Sequence, residues 1–205
     1  MRTRIAPDIQ RHHILGAARQ VFADHGYAKT NMADIAQSAG INRTLLYHYF
    51  QDKDEILLQL LLDALDQVEK LIGRVLHAGG TPSEQIRLLI DGCFELVGAQ
   101  PGLAQLLVDA GAVRQGPALP EYHARIAHLR DALLEWAESV SAGASGKGHA
   151  EQFLLVALGA LFIWFLPTPF AQALAGATPQ AAEQYKEVLH RLLAGWTGPC
   201  RGAST

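Results

Sequence analysis

The chain has 205 residues, 49% hydrophobic and only 18% charged, enough apolar material for a real core and for apolar surface hidden between subunits as well as inside each one. Cys93 and Cys200 stand 107 positions apart without metal-type spacing. They read better as free thiols in a reducing compartment, the cytoplasm, than as a disulfide framework. The net charge of -3 hides an asymmetry: residues 1–53 carry seven Lys or Arg against four Asp, net +3, and the remainder is net -6.

A basic front end on an acidic body suits local phosphate binding, because attraction between charges fades within about 8 Å at physiological salt. No secretory segment is expected at the start, where Arg2, Arg4, Asp8 and Arg11 interrupt any apolar run.

Apolar spacings of 3 or 4 recur almost throughout, without sustained alternation, so the expected fold is all-α. A first helix over about residues 8–24 turns Ile14, Ala18, Val21 and Phe22 inward, ending at His25-Gly26. Thr30 or Asn31 can cap a second helix, which places Met32, Ile35, Ala36 and Ala39 on one face and stops at Gly40. Asn42 opens a third helix, with Ile41 and Leu46 placed as a hydrophobic staple. Asp52 and Glu55 form an acidic variant of the capping box for a long fourth helix reaching about residue 76, and residues 77–82 form the next break.

Further helices are expected over 83–100 and 102–109, separated by Pro101, and over 121–140. In the last, Tyr122, Ile126, Leu129, Leu133, Trp136 and Val140 make a packed seam. SAGASGKG at 141–148 is a loop by composition. Helices over about 150–166 and 179–196 follow, with a frayed tail from 198. Residues 152–182 carry no charge, but the apolar run is cut by Pro167-Thr168-Pro169 after fourteen residues, short of the 20 or so that cross a bilayer. A buried or intersubunit helix is the expectation, and no membrane association.

The second and third helices, joined at Ala39-Gly40-Ile41, form a helix-turn-helix with Leu46 and Phe50 toward the core. Arg43 and Tyr47 are four apart, as are Thr44 and His48, so all four share the outward side. Arg43 can donate twice to a guanine edge, Thr44 can meet a base or a thymine methyl, and Tyr47 and His48 can reach phosphates. Lys53 adds a cation at a helix start that already favours phosphate.

These residues carry a resemblance. Thr30-Asn31-Met32-Ala33-Asp34-Ile35-Ala36, then Ala39-Gly40-Ile41-Asn42, then Leu46-Tyr47-His48-Tyr49-Phe50, Lys53 and Leu57 resemble the amino-terminal signature of TetR/AcrR-type transcriptional regulators, over about residues 10–58. The remainder is similar to that family in helical layout and length. The resemblance implies a homodimer. Each subunit would have a three-helix DNA-binding domain, here 1–52, a larger helical effector-binding and dimerisation domain, here 53–198, and a tail, 199–205. By position, Thr30 or Asn31, Tyr47 and Lys53 would hold phosphates while Arg43 and Thr44 read bases; Asn42, Leu45 and His48 complete the expected DNA-contacting set. Thr44 stands where the family usually has Gly, Ala or Pro, and Leu45 where it has a small residue such as Thr, so the base preference is this chain's own.

The family layout puts Cys93, Phe94, Tyr122, His123 and Trp136 around a ligand cavity, a mix of aromatic walls and sparse polar groups that suits an apolar or aromatic effector. The same spacing also serves plain core. Trp164 lines either that cavity or a dimer interface. The helices at 150–166 and 182–196, the latter with a stripe of Tyr185, Val188, Leu189, Leu192 and Trp196, would pair with their copies as a four-helix interface, and two-fold symmetry implies a palindromic operator. The expected action is repression relieved by ligand.

No catalytic residue, cofactor or metal is expected. The Gly146-Lys147-Gly148 loop lacks a first glycine at Ser141 and a magnesium-holding hydroxyl at Gly148, and neither His12-His13 nor His123 with His128 has the one-face spacing of a helical ligand pair. The competing reading is a helical small-molecule-binding or membrane-associated protein without sequence-specific DNA binding.

Overall fold

The computed structural model describes residues 7–99, 106, 118–140, 149–165 and 179–195, without the side chains of 7, 149, 162–165 and 179. Among the described residues there are eight α-helices and no strand. They are α1 (Pro7–His25), α2 (Met32–Ser38), α3 (Arg43–Tyr49), α4 (Lys53–His77), α5 (Pro82–Ala99), α6 (Leu119–Val140), α7 (His149–Phe165) and α8 (Pro179–Ala194). The chain divides into two compact units. Of the described residues, the first holds 7–66, 106 and 118–124, and the second holds 67–99, 125–140, 149–165 and 179–195.

In the first unit the inward residues expected of α1, Ile14, Ala18, Val21 and Phe22, are buried. Ile14, Ala18 and Phe22 form one core with Ile35, Ala36, Leu46, Phe50, Ile56, Leu57, Leu60 and Leu61. Side chains at the helix ends fix the turns. Of the two candidate caps for α2, Asn31 takes the role: its side chain accepts from the amides of Ala33 (2.8 Å) and Asp34 (3.1 Å), and the Asp34 carboxylate accepts from the Asn31 amide at 2.9 Å. At the other end Gly40, at φ +63°, lets its own amide reach the Gln37 carbonyl and that of Ile41 reach Ala36. This left-handed closure satisfies two terminal carbonyls and sets the entry to α3. Asn42 then caps α3 by accepting from the Leu45 amide at 2.8 Å. Each such cap contributes about 1 kcal/mol.

The capping box of α4 differs from expectation in one bond. Asp52 accepts from the Glu55 amide at 2.8 Å, but the Glu55 carboxylate takes the amide of Gln51, one residue before the cap, at 2.7 Å. The longer Glu side chain reaches past the cap residue. Tyr27 donates its hydroxyl to Asp54, tying the end of α1 to the start of α4.

The second unit has its own core, in which Leu71, Ile72 and Val75 of α4 meet Ile86, Leu89 and Ile90 of α5, Leu133, Trp136 and Val140 of α6, Phe153 and Leu161 of α7, and Leu189 and Leu193 of α8. Thr81 caps α5, which starts at Pro82, where a missing amide costs nothing. A Cβ at Gly92 would overlap a Leu71 methyl, so this glycine lets α5 approach α4 closely. The Trp136 ring N–H donates to Gln85 at 2.9 Å, the Tyr185 hydroxyl donates to the Ala160 carbonyl at 2.8 Å, and Arg125 pairs with Glu69 at 2.7 Å.

The α6 seam is packed only in part. Leu133, Trp136 and Val140 are buried, whereas Ile126 is exposed. Periodicity finds the stripe but not how much of the helix another element covers. No helix among the described residues is long and apolar enough to cross a membrane. The expected break at Pro101, the helix at 102–109 apart from Leu106, the loop at 141–148, Trp196 and the tail lie outside the described residues.

Candidate nucleic-acid interface

The candidate surface is one side of α3. At 100° per residue, Leu45, Tyr49 and Leu46 occupy one side of the helix and Arg43, Tyr47, Thr44 and His48 an arc of about 140° on the other. The first group faces the core: Leu46 is fully buried, Leu45 and Tyr49 are half-buried, and Phe50 just beyond is buried. The second group is exposed throughout, Tyr47 at 54%. Burial of the first set thus orients the second, and α3 presents guanidinium, hydroxyl, phenol and imidazole together. The His48 ring stands edge-on to Tyr49, with centroids 5.5 Å apart.

The other predicted contact residues divide. Asn31 and Asn42 are exposed, and capping engages only the oxygen of each side chain, leaving the amide –NH2 outward. Thr30 is buried and its hydroxyl donates to the Gly26 carbonyl at 2.9 Å, so it faces the protein. Lys53 donates to the carbonyls of Tyr27 and Thr30, both at 3.0 Å, and its ammonium lies 4.3 Å from the Tyr27 ring centroid. Two of its three hydrogens therefore close the turn between α1 and α2. Sequence offered no signal for this, because both carbonyls are more than 20 residues upstream. Lys29 was not singled out, yet it stands exposed in that turn; the charge excess of residues 1–53 was its only trace.

Residues 14–60 match the family model described as bacterial regulatory proteins, tetR family. Over that stretch the chain carries the amino-terminal domain of the TetR family. Among its relatives, the HTH-type transcriptional regulator HbdR of Aromatoleum sp. is 38% identical over 77 residues, 38% of this chain and 34% of that protein. The HTH-type transcriptional repressor KstR2 of Mycolicibacterium smegmatis is 30% identical over 116 residues, 57% of this chain and 56% of that protein. The chain thus spans about a third to a half of the length of these curated relatives. The solved structure of the ketosteroid transcriptional regulator KstR2 of Mycobacterium tuberculosis shares the fold, with a TM-score of 0.75 at 19% identity over 94% of this chain and 95% of that one.

Beyond that stretch the effector candidates do not all lie in one core. Tyr122 packs against the core of the first unit, beside the exposed His123 at 5.8 Å between ring centroids. Trp136 is buried in the second, stacked at a tilt on Phe153 with its N–H taken by Gln85. Cys93 and Phe94 pack on that second core. Burial pushes the Cys93 thiol up to about 11, so it stays protonated and unreactive. The backbone of Trp164 lies in α7, and its side chain is outside the described residues.

Proposed function

We propose that the chain is a cytoplasmic transcriptional regulator that binds a palindromic operator as a homodimer, represses, and is released by a small apolar or aromatic ligand. The observation that carries this reading is the α3 surface, where Arg43, Thr44, Tyr47 and His48 leave the protein together from a helix whose other side is core. In the proposed complex Arg43 and Thr44 meet base edges, and Tyr47, His48 and Asn31 meet phosphates. Lys53 is assigned to the turn it already closes. Residues 1–52 form the DNA-binding domain and 53–198 the effector and dimerisation domain.

Two exposed apolar strips support the dimer. On α7, Leu155 is 75% exposed and Val156 and Leu158 are also exposed, while Phe153, Leu154, Ala157 and Leu161 on the same helix are buried. On α8, Val188 and Leu192 are exposed beside buried Leu189 and Leu193. Helices apolar on both sides are what a four-helix interface between copies requires. Repression is favoured by a relative that is itself named a repressor, and an apolar effector by a solved neighbour named a ketosteroid regulator. The ligand must bind the form with mis-spaced reading heads more tightly than the DNA-bound form, since equal affinity shifts nothing. The continuous helix α4, 25 residues and about 37 Å long, is the element through which it would act.

Selection of genomic duplexes by the purified protein at moderate salt tests the reading. The expected product is a two-fold symmetric site whose log affinity falls with log salt at about 0.9 per phosphate contacted. Arg43→Ala should then cost about 1–3 kcal/mol at one base pair of each half-site without changing stability. Recovery of no preferred duplex would refute DNA recognition.

A further inference from the structure

The second unit holds a concentration of charge that operator binding leaves unused. On α5, Arg87, Asp91 and Glu95 are spaced four apart and form one stripe. Facing it, α8 presents Glu183, Lys186, Glu187 and His190. Between the stripes lies a cleft of about 340 Å³. Four carboxylates line it against two permanent cations, so with His190 neutral the lining carries a formal charge of -2. Lys186 is already engaged, 2.6 Å from Glu183 and 3.8 Å from Asp91. Glu95 and Arg87, one turn to either side of Asp91, make no hydrogen bond or close ion pair among the described residues, though Glu95 lies within the field of Lys186 and Arg87 within that of His190.

His190 is the independent observation. It is only 7% exposed, it lines both this cleft and the adjoining one at Ser83 and Ala194, and neither ring nitrogen has a hydrogen-bond partner in the protein. Asp91 Oδ1 is 3.5 Å from Nε2 and Glu187 Oε2 is 3.9 Å from Nδ1, poised but not bonded. Burial and the Arg87 charge hold the imidazole below its ordinary value of 6.5, so at neutral pH one ring nitrogen is an acceptor. Leaving a buried polar group unpaired is costly, so this ring has hydrogen-bonding capacity that a bound ligand could complete.

We propose that the α5–α8 cleft binds a small aliphatic amine, its ammonium held by Asp91, Glu187 and the His190 ring, and in a diamine a second ammonium at Glu95. The negative lining selects a cation over an anion, and an ammonium offers three donors to a site rich in acceptors. A metal ion is not favoured, because among the described residues no group of three or more His, Cys, Asp or Glu side chains is arranged to hold one. On α8 the cleft side, at His190, is about 160° around the helix from Val188 and Leu192, so a partner covering the apolar strip leaves the cleft open. The site does not depend on the DNA-binding reading and is tested without DNA.

The experiment is calorimetric titration of the full-length protein at low salt with 1,4-diaminobutane, beside 4-aminobutanoate and butanoate. Saturable binding of the diamine, tighter than that of either carboxylate, is expected, with Asp91→Asn weakening it by about tenfold or more. Glu95→Gln, at an exposed side chain without a hydrogen-bond or close ion-pair partner, tests the second subsite with little effect on folding and should weaken the diamine several-fold. Glu138→Gln, an exposed carboxylate outside the cleft lining, serves as the control and should change nothing. No saturable heat up to about 10 mM, equal binding of 4-aminobutanoate, or unchanged affinity in both Asp91→Asn and Glu95→Gln overturns the proposal.

Discussion

Lys53 separates two roles that a single cation at a helix start can play. Replacing it with Met keeps the length of the side chain and removes the ammonium, so the carbonyls of Tyr27 and Thr30 lose their donors. A hydrogen bond from a charged donor is worth about 1.5–3 kcal/mol, and half exposure of Lys53 lets water recover part of that, leaving about 1 kcal/mol for each bond. The contact with the Tyr27 ring adds about 0.5 kcal/mol at a partly exposed position. Lys53→Met should therefore destabilise the protein by about 2.5 kcal/mol, measured by denaturant unfolding, and should lower operator affinity by displacing the turn that precedes α2. The slope of log affinity against log salt is the deciding measurement. If Lys53 acts through the turn, the slope is that of the unsubstituted protein; if it contacts phosphate, the slope drops by about one. A variant of unchanged stability with a slope reduced by one would refute the positional role.

His190 makes stability depend on pH in a definite direction. Its folded value lies below 6.5 because burial and Arg87 disfavour the charged ring, against the pull of Asp91 and Glu187. The unfolded chain then binds the extra proton first, so stability is full above 6.5 and declines as pH falls from 6.5 toward the lowered folded value. His190→Gln should flatten that decline in unfolding curves taken across the window; a decline of equal steepness in the variant would exclude His190 as its source. Gly92→Ala should cost about 1–3 kcal/mol by forcing Leu71 out of its packed position, seen as a lowered denaturation midpoint. Leu155→Glu should leave the fold intact, since that side chain is 75% exposed, and convert the sedimenting species to a monomer at micromolar concentration; an unchanged dimer would place the interface elsewhere.

The parts of the fold that were legible in sequence are those whose signals act within a few residues. Asn31 and Asn42 reach amides two or three positions on, and Gly40 adopts its left-handed conformation within one turn, so the helix-turn-helix could be drawn with its outward and inward faces. What stayed hidden depends on partners distant in the chain. Lys53 finds its carbonyls 23 and 26 residues upstream, Trp136 finds Gln85 at a separation of 51, and His190 meets α5 across about a hundred. Thr30 was missed for a different, local reason: a hydroxyl beside a helix start suits a phosphate contact equally well, and only the turn's conformation brings the Gly26 carbonyl, four residues back, within its reach. Tyr122 and Trp136 share the stripe of one helix, yet each joins a different core, and no spacing rule divides a helix that way.

The brevity of α3 has a genetic consequence. A helix of seven residues is far below the length, about 12–15 residues, at which even favourable sequences persist alone in water, so it exists only while Leu46 and Phe50 are seated. A screen for lost operator control should therefore recover changes at Phe22 or Ile35, which never approach a base, as readily as changes at Arg43. The two classes will differ in cellular abundance, because damaged cores are degraded while bare-handed but folded protein accumulates.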